Sequence, residues 1–458
     1  MEYTGRNVVV LGLGLTGFSL ARYLASRGAT VRVADTRPAP PFAGQLKADL
    51  PQVPLTTGPI TDATLTGANL IAISPGIAKD QEAIAAAVAH GVELVGDIEL
   101  FVRALPPAQK VLAITGSNGK STVTALTGAL ARAGGLVTVV AGNIGEAVLD
   151  AIPADDGWPD VFVLELSSFQ LETTYSLAPV AATVLNVTEN HLDRYASIDD
   201  YAAAKARIFA RGGMQVLNRD DPRSLAMHLP GRLVQTFGAG VPESEEAWGI
   251  VDRGSHAGGA WLARGGALLA PISDLQLVGR HNAQNALAAL ALVSSVAKID
   301  RAVTAELARF EGLPHRMQRV ADVRSVVYVD DSKGTSVAAT KAALEGIDGA
   351  VVLIAGGDGK GQDFTALRAA VDAHCRAVLL IGRDAPILAR ALAGSPAAVE
   401  MCETLDAAVA RAVVLAKPGE VVLLSPACAS LDQFANYVER GKRFASLVRA
   451  LTAERAHA

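Results

Sequence analysis

The chain has 458 residues, of which half are hydrophobic and 19% are charged, and its formal net charge is −5. This composition is that of a globular protein, and the length predicts two or three domains. No apolar run is long enough to cross a bilayer, the N-terminus does not resemble a secretory signal, and the three cysteines lack metal or redox spacing. A cytosolic protein is therefore expected, and the acidic balance argues against a nucleic-acid partner.

Strand-like apolar runs alternate with helical patterns along nearly the whole chain, which predicts parallel sheets with crossover helices. Turn-forming residues interrupt the pattern near 97–107 and 312–314. We therefore predict three α/β blocks in tandem, with domains at 1–98, 99–312 and 313–458. Strands are expected at 7–12, 30–35, 70–74, 92–95, 110–115, 161–166, 182–187, 214–218, 326–329, 351–355, 377–381 and 421–424. The segment 247–270 is expected to form antiparallel strands. Helices are expected at 18–27, 81–90 and 282–297.

The first block begins with a glycine loop of the dinucleotide-binding type. The segment Gly12-Leu13-Gly14-Leu15-Thr16-Gly17 lies between an apolar run and a helical pattern, and Asp35 ends the next apolar run. A loop of this kind brings backbone N–H groups and a helix N-terminus close to a pyrophosphate. The loop alone does not distinguish a nicotinamide cofactor from another nucleotide.

A second phosphate loop opens the central block, between the strand at 110–115 and a helix that reaches about residue 133. It reads Thr115-Gly116-Ser117-Asn118-Gly119-Lys120-Ser121-Thr122, with only two residues between its glycines. In such a loop backbone N–H groups bind phosphate oxygens, the lysine reaches the terminal phosphates and the serine hydroxyl ligates Mg²⁺. The alternative is a capped turn with a surface lysine, which the strand–loop–helix context disfavours.

Three further residues of the central block are candidates for chemistry. Glu165 lies in an unusually apolar run, so it is either a Mg²⁺ ligand or part of a structural ion pair. His191 follows another apolar strand, at the edge where ligands gather in α/β sheets. Lys205 lies on a predicted helix, where the pattern alone indicates an ordinary surface lysine.

In the third block, three loops that follow predicted strands concentrate small, polar and cationic residues. They span 330–336, 356–364 and 425–434. One such loop is ordinary turn chemistry, but three in register predict a single anion-binding cleft.

These motifs together resemble the Mur ligases, whose ATP loop is shared with folylpolyglutamate synthases. Segments 12–17, 73–77, 164–172, 186–195, 312–316, 356–360 and 425–434 are similar to the branch that adds D-glutamate, in the same order along the chain. The resemblance implies an α/β fold with a Rossmann-like N-terminal domain, a central P-loop ATPase-like domain and a Rossmann-like C-terminal domain. It also implies ligation of D-glutamate to UDP-N-acetylmuramoyl-L-alanine through an acyl phosphate, in peptidoglycan precursor synthesis. We expect the enzyme to be a monomer.

The resemblance assigns roles residue by residue. For catalysis and metal binding it implies ATP, two Mg²⁺ sites, Lys120, Ser121, Glu165, His191 and Lys205, the last as a carbamate. For ATP it implies Gly116, Ser117, Asn118, Gly119, Lys120, Ser121, Thr122, Asn282, Arg316 and Asp331. For the uridine substrate it implies Leu15, Thr16, Asp35, Thr36, Arg37, Ser74, Gly76, Asn143, Ser167 and Gln170. For D-glutamate it implies Lys333, Thr335, Lys360, Ser430, Leu431 and Tyr437.

The chain departs from the family pattern at Ser117, Asn190, Asp330, Tyr437 and within 334–336, each by a small change. Three other functions remain alternatives at this point. They are an NAD-dependent oxidoreductase, a ligase of the folylpolyglutamate synthase type and a non-catalytic nucleotide-binding module. The separate ATP loop argues against the first, the uridine-type first domain against the second, and the joint presence of Glu165, His191 and Lys205 against the third.

Overall fold

The computed structural model describes residues 3–189, 194–254, 259–277, 279–347 and 349–453. The chain divides into two compact units, one made of 1–251, 263–268 and 287–303, the other of 252–262, 269–286 and 304–458. Three β-sheets organise these units. The α/β class is therefore confirmed, while the three predicted domain ranges stay a prediction. In the part of the chain that the structure describes, no helix has both the length and the apolar character to span a membrane.

The N-terminal sheet has five parallel strands in the order β3-β2-β1-β4-β5. They are β1 (Asn7–Leu11), β2 (Thr30–Asp35), β3 (Leu55–Thr57), β4 (Leu70–Ile73) and β5 (Glu93–Val95), with helices α1 (Leu15–Ser26), α2 (Ala43–Asp49), α3 (Asp62–Leu65), α4 (Glu82–Ala89) and α5 (Asp97–Ala104). The chain moves outward from β1 to β3 and then returns to β4 on the other side of β1. The carboxyl end of β1 is thus a topological switch point, where open α/β sheets bind ligands.

Helix α5 occupies part of the segment predicted to be a domain boundary. Its Leu100 and Phe101 are fully buried, and the Phe101 ring packs edge-on against Phe162 of the central sheet at 5.0 Å between centroids. A buried core therefore runs continuously from the first sheet into the second. No helix was predicted in this short segment, which ends in a proline pair, and the domain boundary itself stays a prediction.

The central sheet has nine strands in the order β14-β13-β12-β11-β10-β9-β6-β8-β7. The strands are β6 (Lys110–Thr115), β7 (Thr138–Gly142), β8 (Val161–Glu165), β9 (Ala181–Val184), β10 (Met214–Asn218), β11 (Val234–Phe237), β12 (Ala247–Asp252), β13 (Ala260–Arg264) and β14 (Ala267–Pro271). The helices are α6 (Lys120–Ala133), α7 (Ser168–Glu172), α8 (Ile198–Ala206), α9 (Pro222–Ala226), α10 (Arg280–Val293) and α11 (Arg301–Glu306). Strands rather than a helix form after residue 247, as predicted, but β12 pairs in parallel with β11. Strand β11 lies before the segment 247–270, so antiparallel pairing among β12, β13 and β14 stays a prediction.

The C-terminal sheet has six strands in the order β15-β16-β20-β17-β18-β19. They are β15 (Gln318–Val323), β16 (Val326–Asp330), β17 (Val351–Gly356), β18 (Cys375–Ile381), β19 (Ala398–Glu403) and β20 (Val421–Leu424), with helices α12 (Val337–Glu345), α13 (Arg368–His374), α14 (Ala385–Ala391), α15 (Leu405–Leu415) and α16 (Tyr437–Ala453). The last strand, β20, inserts between β16 and β17, so the loops that follow these three strands become neighbours. Only β15 departs from the predicted parallel pattern, because it pairs antiparallel with β16.

Candidate functional site

The three glycines of the first loop meet different surroundings. Gly12 has a φ of +88°, in the left-handed region that favours glycine, and a Cβ on Gly17 would lie 1.7 Å from the Gly12 carbonyl oxygen. A Cβ on Gly14, in contrast, would meet no atom within 4 Å. Gly12 and Gly17 are therefore required by the turn itself, whereas Gly14 leaves open space in front of helix α1. That space is where a phosphate oxygen can approach the helix N-terminus.

Asp35 connects this loop to the neighbouring strand β2. Its carboxylate accepts a hydrogen bond of 2.6 Å from the Leu13 backbone N–H, and it also binds the guanidinium and the backbone N–H of Arg37. The hydrogen bonds from Arg37 hold the pKa of Asp35 at about 2, below its ordinary 3.8. Asp35 is therefore ionised near neutral pH, and Arg37 is held beside the glycine loop.

The other residues predicted for the uridine substrate lie just after strands of the first compact unit, in loops or in the first turns of helices α1 and α7. Around the N-terminal sheet these are Leu15, Thr16, Thr36, Ser74 and Gly76, and after β7 and β8 they are Asn143, Ser167 and Gln170. The side chain of Gln170 donates to Asp97 at 3.0 Å and accepts from the Ser167 backbone N–H at 3.1 Å. Gln170 thereby fixes the start of α7 against the start of α5.

The second loop has the geometry expected of a phosphate-binding turn. Gly119 has a φ of +81° and immediately precedes α6, which begins at Lys120. The loop is held to the end of the neighbouring strand by Asn186, which accepts from the backbone N–H groups of Ser117 at 2.9 Å and Asn118 at 2.8 Å. The Lys120 ammonium donates to the carbonyl oxygens of Gly116 and Ser117, at 2.9 and 3.0 Å. The loop, its lysine and the helix N-terminus therefore come together as the sequence predicts.

Glu165 ends strand β8, which pairs directly with the strand that leads into this loop. The side chain is 2% exposed, and its Oε1 accepts from the Asn143 amide at 2.8 Å. Its Oε2 is buried and has no hydrogen-bond partner among the described residues. A buried carboxylate oxygen without a donor fits a cation, which favours the metal-ligand interpretation over a structural ion pair.

The remaining predicted metal ligands can be placed in part. Ser121 is buried in the first turn of α6, and His191 lies outside the described residues. Within the described ranges, no three His, Cys, Asp or Glu side chains cluster in a way that would hold a metal ion. Because His191 lies outside the described residues, the predicted set of metal ligands stays a prediction.

Lys205 is a buried residue, so the pattern-based expectation of a surface lysine is wrong. The side chain is 1% exposed, its Nζ donates to the Gly116 carbonyl oxygen at 2.9 Å, and it lies 4.3 Å from the centroid of the Tyr201 ring. Burial, and secondarily the charge of Lys120, lowers the pKa of Lys205 to about 6. At neutral pH Lys205 therefore presents a mostly uncharged amine at the phosphate loop.

Sequence reasoning did not assign a role to Arg194, which links two of the loops described above. Its guanidinium donates to the carbonyl oxygens of Pro75 and Ile77, at 2.9 and 3.2 Å. It also pairs with Glu172 at 3.2 Å and stacks over the Phe169 ring at 4.2 Å. Arg194 lies within the polar run at 186–195, which was the available sequence signal. The long-range partners of Arg194 cannot be read from the local sequence.

In the second compact unit the three predicted loops do come together. The Ser425 hydroxyl donates to Asp331 at 2.8 Å, and the Gln362 amide donates to the backbone carbonyls of Thr335 and Ala427 at 3.4 and 3.3 Å. Burial raises the pKa of Asp331 to about 7. The remaining predicted residues of this unit are Asn282, Arg316, Lys333, Lys360, Ser430, Leu431 and Tyr437.

The cationic side chains around these loops have distinct environments. The exposed Lys333 ammonium lies 3.3 Å from the Tyr437 hydroxyl and 4.8 Å from the centroid of its ring. Arg440, which sequence reasoning missed, is 1% exposed and donates to Ser332 Oγ at 3.0 Å and to the Cys428 carbonyl at 3.1 Å. It ties together the loops after β16 and β20. Its spacing of three residues from Tyr437 on α16 was the only sequence signal for it.

Family models match most of the chain. The model described as the Mur ligase MurD-like N-terminal domain matches residues 6–96, the Mur ligase middle domain matches 114–293, and the Mur ligase glutamate ligase domain matches 315–428. Two curated relatives are named UDP-N-acetylmuramoylalanine--D-glutamate ligase. The protein from Thiobacillus denitrificans is 52% identical over 100% of this chain and 98% of its own length. That from Methylobacillus flagellatus is 53% identical over 98% of both chains.

Solved structures share the fold at low sequence identity. The UDP-N-acetylmuramate-alanine ligase of Thermotoga maritima superimposes with a TM-score of 0.58 at 18% identity, over 97% of this chain and 99% of that one. A folylpolyglutamate synthase of Mycobacterium tuberculosis gives a TM-score of 0.54 at 20% identity, over 75% of this chain and 92% of that one. The full-length relatives and the three matched domains, in agreement with the geometry of both glycine loops, lead to one conclusion: the chain belongs to the Mur ligase family.

Proposed function

We propose that the protein ligates D-glutamate to UDP-N-acetylmuramoyl-L-alanine at the expense of ATP, giving ADP and phosphate. The observation that carries the proposal is the phosphate loop, where Lys120 and the buried Lys205 both donate to the Gly116 carbonyl, and where the strand before the loop pairs with the strand that ends at Glu165. The full-length relatives bear the name of this activity. The reaction belongs to peptidoglycan precursor synthesis.

The first chemical step transfers the γ-phosphoryl group of ATP to the carboxylate of the alanine residue, which forms an acyl phosphate and releases ADP. Charge moves between phosphate and carboxylate oxygens in this step, so catalysis consists mainly of positioning and charge neutralisation. The Lys120 ammonium, held 2.9–3.0 Å from its own loop carbonyls, has to turn toward the bound phosphates to act. The backbone N–H groups of the loop and the start of α6 bind the same phosphates.

In the second step the amine of D-glutamate attacks the acyl phosphate carbon and loses a proton, and inorganic phosphate leaves as the amide forms. We assign the amino-acid side of this step to Lys333, Thr335, Lys360, Ser430, Leu431 and Tyr437. Two ammonium groups and two hydroxyls can hold two carboxylates in a fixed orientation. A diamino acid would bring a cation against Lys333 or Lys360, and this like-charge contact disfavours it.

Two Mg²⁺ sites belong to this proposal, with Ser121, Glu165, His191 and Lys205 as the protein residues that would hold the ions. Mg²⁺ supplies charge neutralisation across the phosphates when bound. The buried Oε2 of Glu165, which has no hydrogen-bond partner within the described part of the chain, supports its place in this set.

We further propose that Lys205 is carbamylated. Its pKa of about 6 leaves the amine uncharged at neutral pH, so its nitrogen can bond to the carbon of CO₂ and release a proton to water. The product is an anionic carbamate, whose oxygens can bind a cation that the neutral amine would not neutralise. Burial at 1% exposure protects the carbamate from solvent.

We assign the uridine diphosphate to the N-terminal sheet, and ATP to the phosphate loop together with Asn282, Arg316 and Asp331. The three functional domains are 1–98, 99–312 and 313–458 in this proposal. The open space at Gly14 and the anchored Arg37 support pyrophosphate binding by the first loop without a nicotinamide ring.

The deciding experiment measures ADP release with ATP, Mg²⁺ and each candidate acceptor. The proposal predicts turnover only with UDP-N-acetylmuramoyl-L-alanine and D-glutamate together, and little with L-glutamate, L-lysine or diaminopimelate. Lys120→Ala should lower this turnover about a hundredfold or more, and Lys110→Ala, which replaces an exposed lysine at the other end of β6, is the matched control. Ligation of L-lysine or diaminopimelate, turnover with a folate acceptor, or tight NAD binding without uridine-nucleotide binding would refute the proposal.

A further inference from the structure

The loop that carries Lys360 follows β17, and its neighbour across the sheet is the loop at 382–384 that follows β18. Lys360 has a φ of +50°, in the left-handed region that a non-glycine residue adopts only when its surroundings enforce it. Its side chain is exposed, so packing of the lysine itself does not impose this conformation. Neighbouring residues must therefore hold the backbone of this loop in place.

Asp384 supplies that support. It stands at the N-terminal boundary of α14, yet its side chain makes no hydrogen bond to cap that helix. Instead, its Oδ2 accepts from the Gly359 backbone N–H at 2.7 Å, and its own backbone N–H donates to the Gly357 carbonyl at 3.0 Å. The Asp384 side chain therefore does not make the usual helix-capping contact. It stabilises the turn instead, through its hydrogen bond to the residue before Lys360.

Arg383 acts on the charge next to the same lysine. The Asp358 carboxylate lies two residues before Lys360, accepts from the Lys360 backbone N–H at 3.0 Å and is only 18% exposed. The Arg383 guanidinium donates to the same Oδ1 atom at 2.5 Å. Because the Asp358 carboxylate is paired with Arg383, it attracts the Lys360 ammonium less strongly. The Lys360 ammonium is then available to bind a substrate carboxylate.

The backbone of Asp358 also joins this loop to the loop after β20. Its N–H and C=O pair with Ala429 at 2.9 and 2.8 Å, directly before Ser430. The position of Lys360 is therefore set relative to a second residue assigned to the amino-acid site.

We propose that Arg383 and Asp384 are positioning residues for the amino-acid substrate. Asp384 fixes the turn that carries Lys360, and Arg383 pairs with the Asp358 carboxylate. This inference rests on the proposed function, in which Lys360 binds a carboxylate of D-glutamate. Neither residue needs to touch the substrate.

The test is steady-state kinetics of the full-length protein with D-glutamate varied and the other two substrates saturating. Arg383→Gln should raise the KM for D-glutamate about tenfold, the scale of one lost charged contact, and leave kcat and the nucleotide KM within about twofold. Adding Asp358→Asn to that variant should restore the KM, because the competing charge is then gone while an acceptor oxygen remains. Asp384→Ala should raise the same KM, whereas Asp384→Asn, which keeps an acceptor, should not. Arg390→Gln, an exposed arginine of α14, is the control.

An unchanged KM for D-glutamate in Arg383→Gln and Asp384→Ala would overturn the inference. The inference would also be overturned if adding Asp358→Asn to Arg383→Gln did not restore the KM for D-glutamate. A joint deterioration of kcat, of the KM for D-glutamate, of the nucleotide KM and of Tm would overturn it as well, because it would indicate a purely structural role. A wild-type protein that does not ligate D-glutamate refutes the proposed function and this inference with it. A wild type that does so, with variants that behave like it, refutes the inference alone.

Discussion

Replacing Lys205 by methionine should stabilise the protein while abolishing its activity. The ordinary pKa of 10.5 falls to about 6 in the folded chain, so folding at pH 7 requires the ammonium to give up its proton. At 1.36 kcal/mol per pKa unit this costs about 5 kcal/mol. Methionine avoids that cost but loses the hydrogen bond to Gly116, worth about 1 kcal/mol. Because the amine is uncharged at pH 7, no cation–π energy is lost at the Tyr201 ring, and the expected net gain in the free energy of unfolding is about 4 kcal/mol.

The pH dependence has a definite sign. Because the folded pKa is lowered, the unfolded chain binds more protons between pH 6 and 10.5, and the stability of the wild type rises with pH across that window. The penalty is complete below about pH 6 and fades toward pH 10.5. The advantage of Lys205→Met should therefore shrink by about 1.4 kcal/mol per pH unit above pH 7.

The assay is urea unfolding of both proteins at pH 6, 7, 8 and 9 in buffers freed of CO₂. Lys110→Met, which replaces an exposed lysine, is the control and should show no such pH-dependent difference. Added bicarbonate should stabilise the wild type and leave Lys205→Met unchanged, because only the wild type can form the carbamate. A stability difference that does not vary with pH, or a variant less stable than the wild type at pH 7, would refute the reasoning.

Four further outcomes test the site. Gly14→Ala should keep the wild-type Tm, because its Cβ enters open space, but the same Cβ should obstruct a phosphate and weaken uridine-nucleotide binding in calorimetry. Unaltered binding would show that no phosphate binds at that position. Gly17→Ala, whose Cβ would overlap the Gly12 carbonyl oxygen, should lower Tm by several degrees, and an unchanged Tm would contradict the close approach. Lys120→Ala should lose about a hundredfold or more in kcat, as removal of one preorganised charged contact does, and wild-type turnover would disprove its role. Glu165→Gln should weaken Mg²⁺ binding to the ADP-loaded protein about tenfold or more in calorimetry, and equal affinity would exclude it as a ligand.

Much of the architecture was predictable because it is written in local patterns. The strand at 110–115 is found where predicted, and the helix after the phosphate loop ends at Ala133. Apolar runs bounded by glycine or proline specify buried parallel strands, and a glycine with positive φ marks many of the sharp turns, although the turn between β15 and β16 places Arg324 and Ser325 there instead. Helix α5, within the segment 97–107, was not predicted, because a short amphipathic helix next to a proline pair gives no clear periodic signal until its apolar face has a partner.

The sequence by itself determined which residues follow strands, and therefore which side chains are available at the carboxyl edges of the three sheets. Only the tertiary structure decided which of them meet. Asp35 binds Leu13, Lys205 donates to Gly116, and Arg383 reaches Asp358. The burial of Lys205, and with it the lowered pKa, is likewise a tertiary effect. The physical reason is that strand order brings together residues distant in sequence, and burial changes the free energy of a charge in a way that no local pattern records.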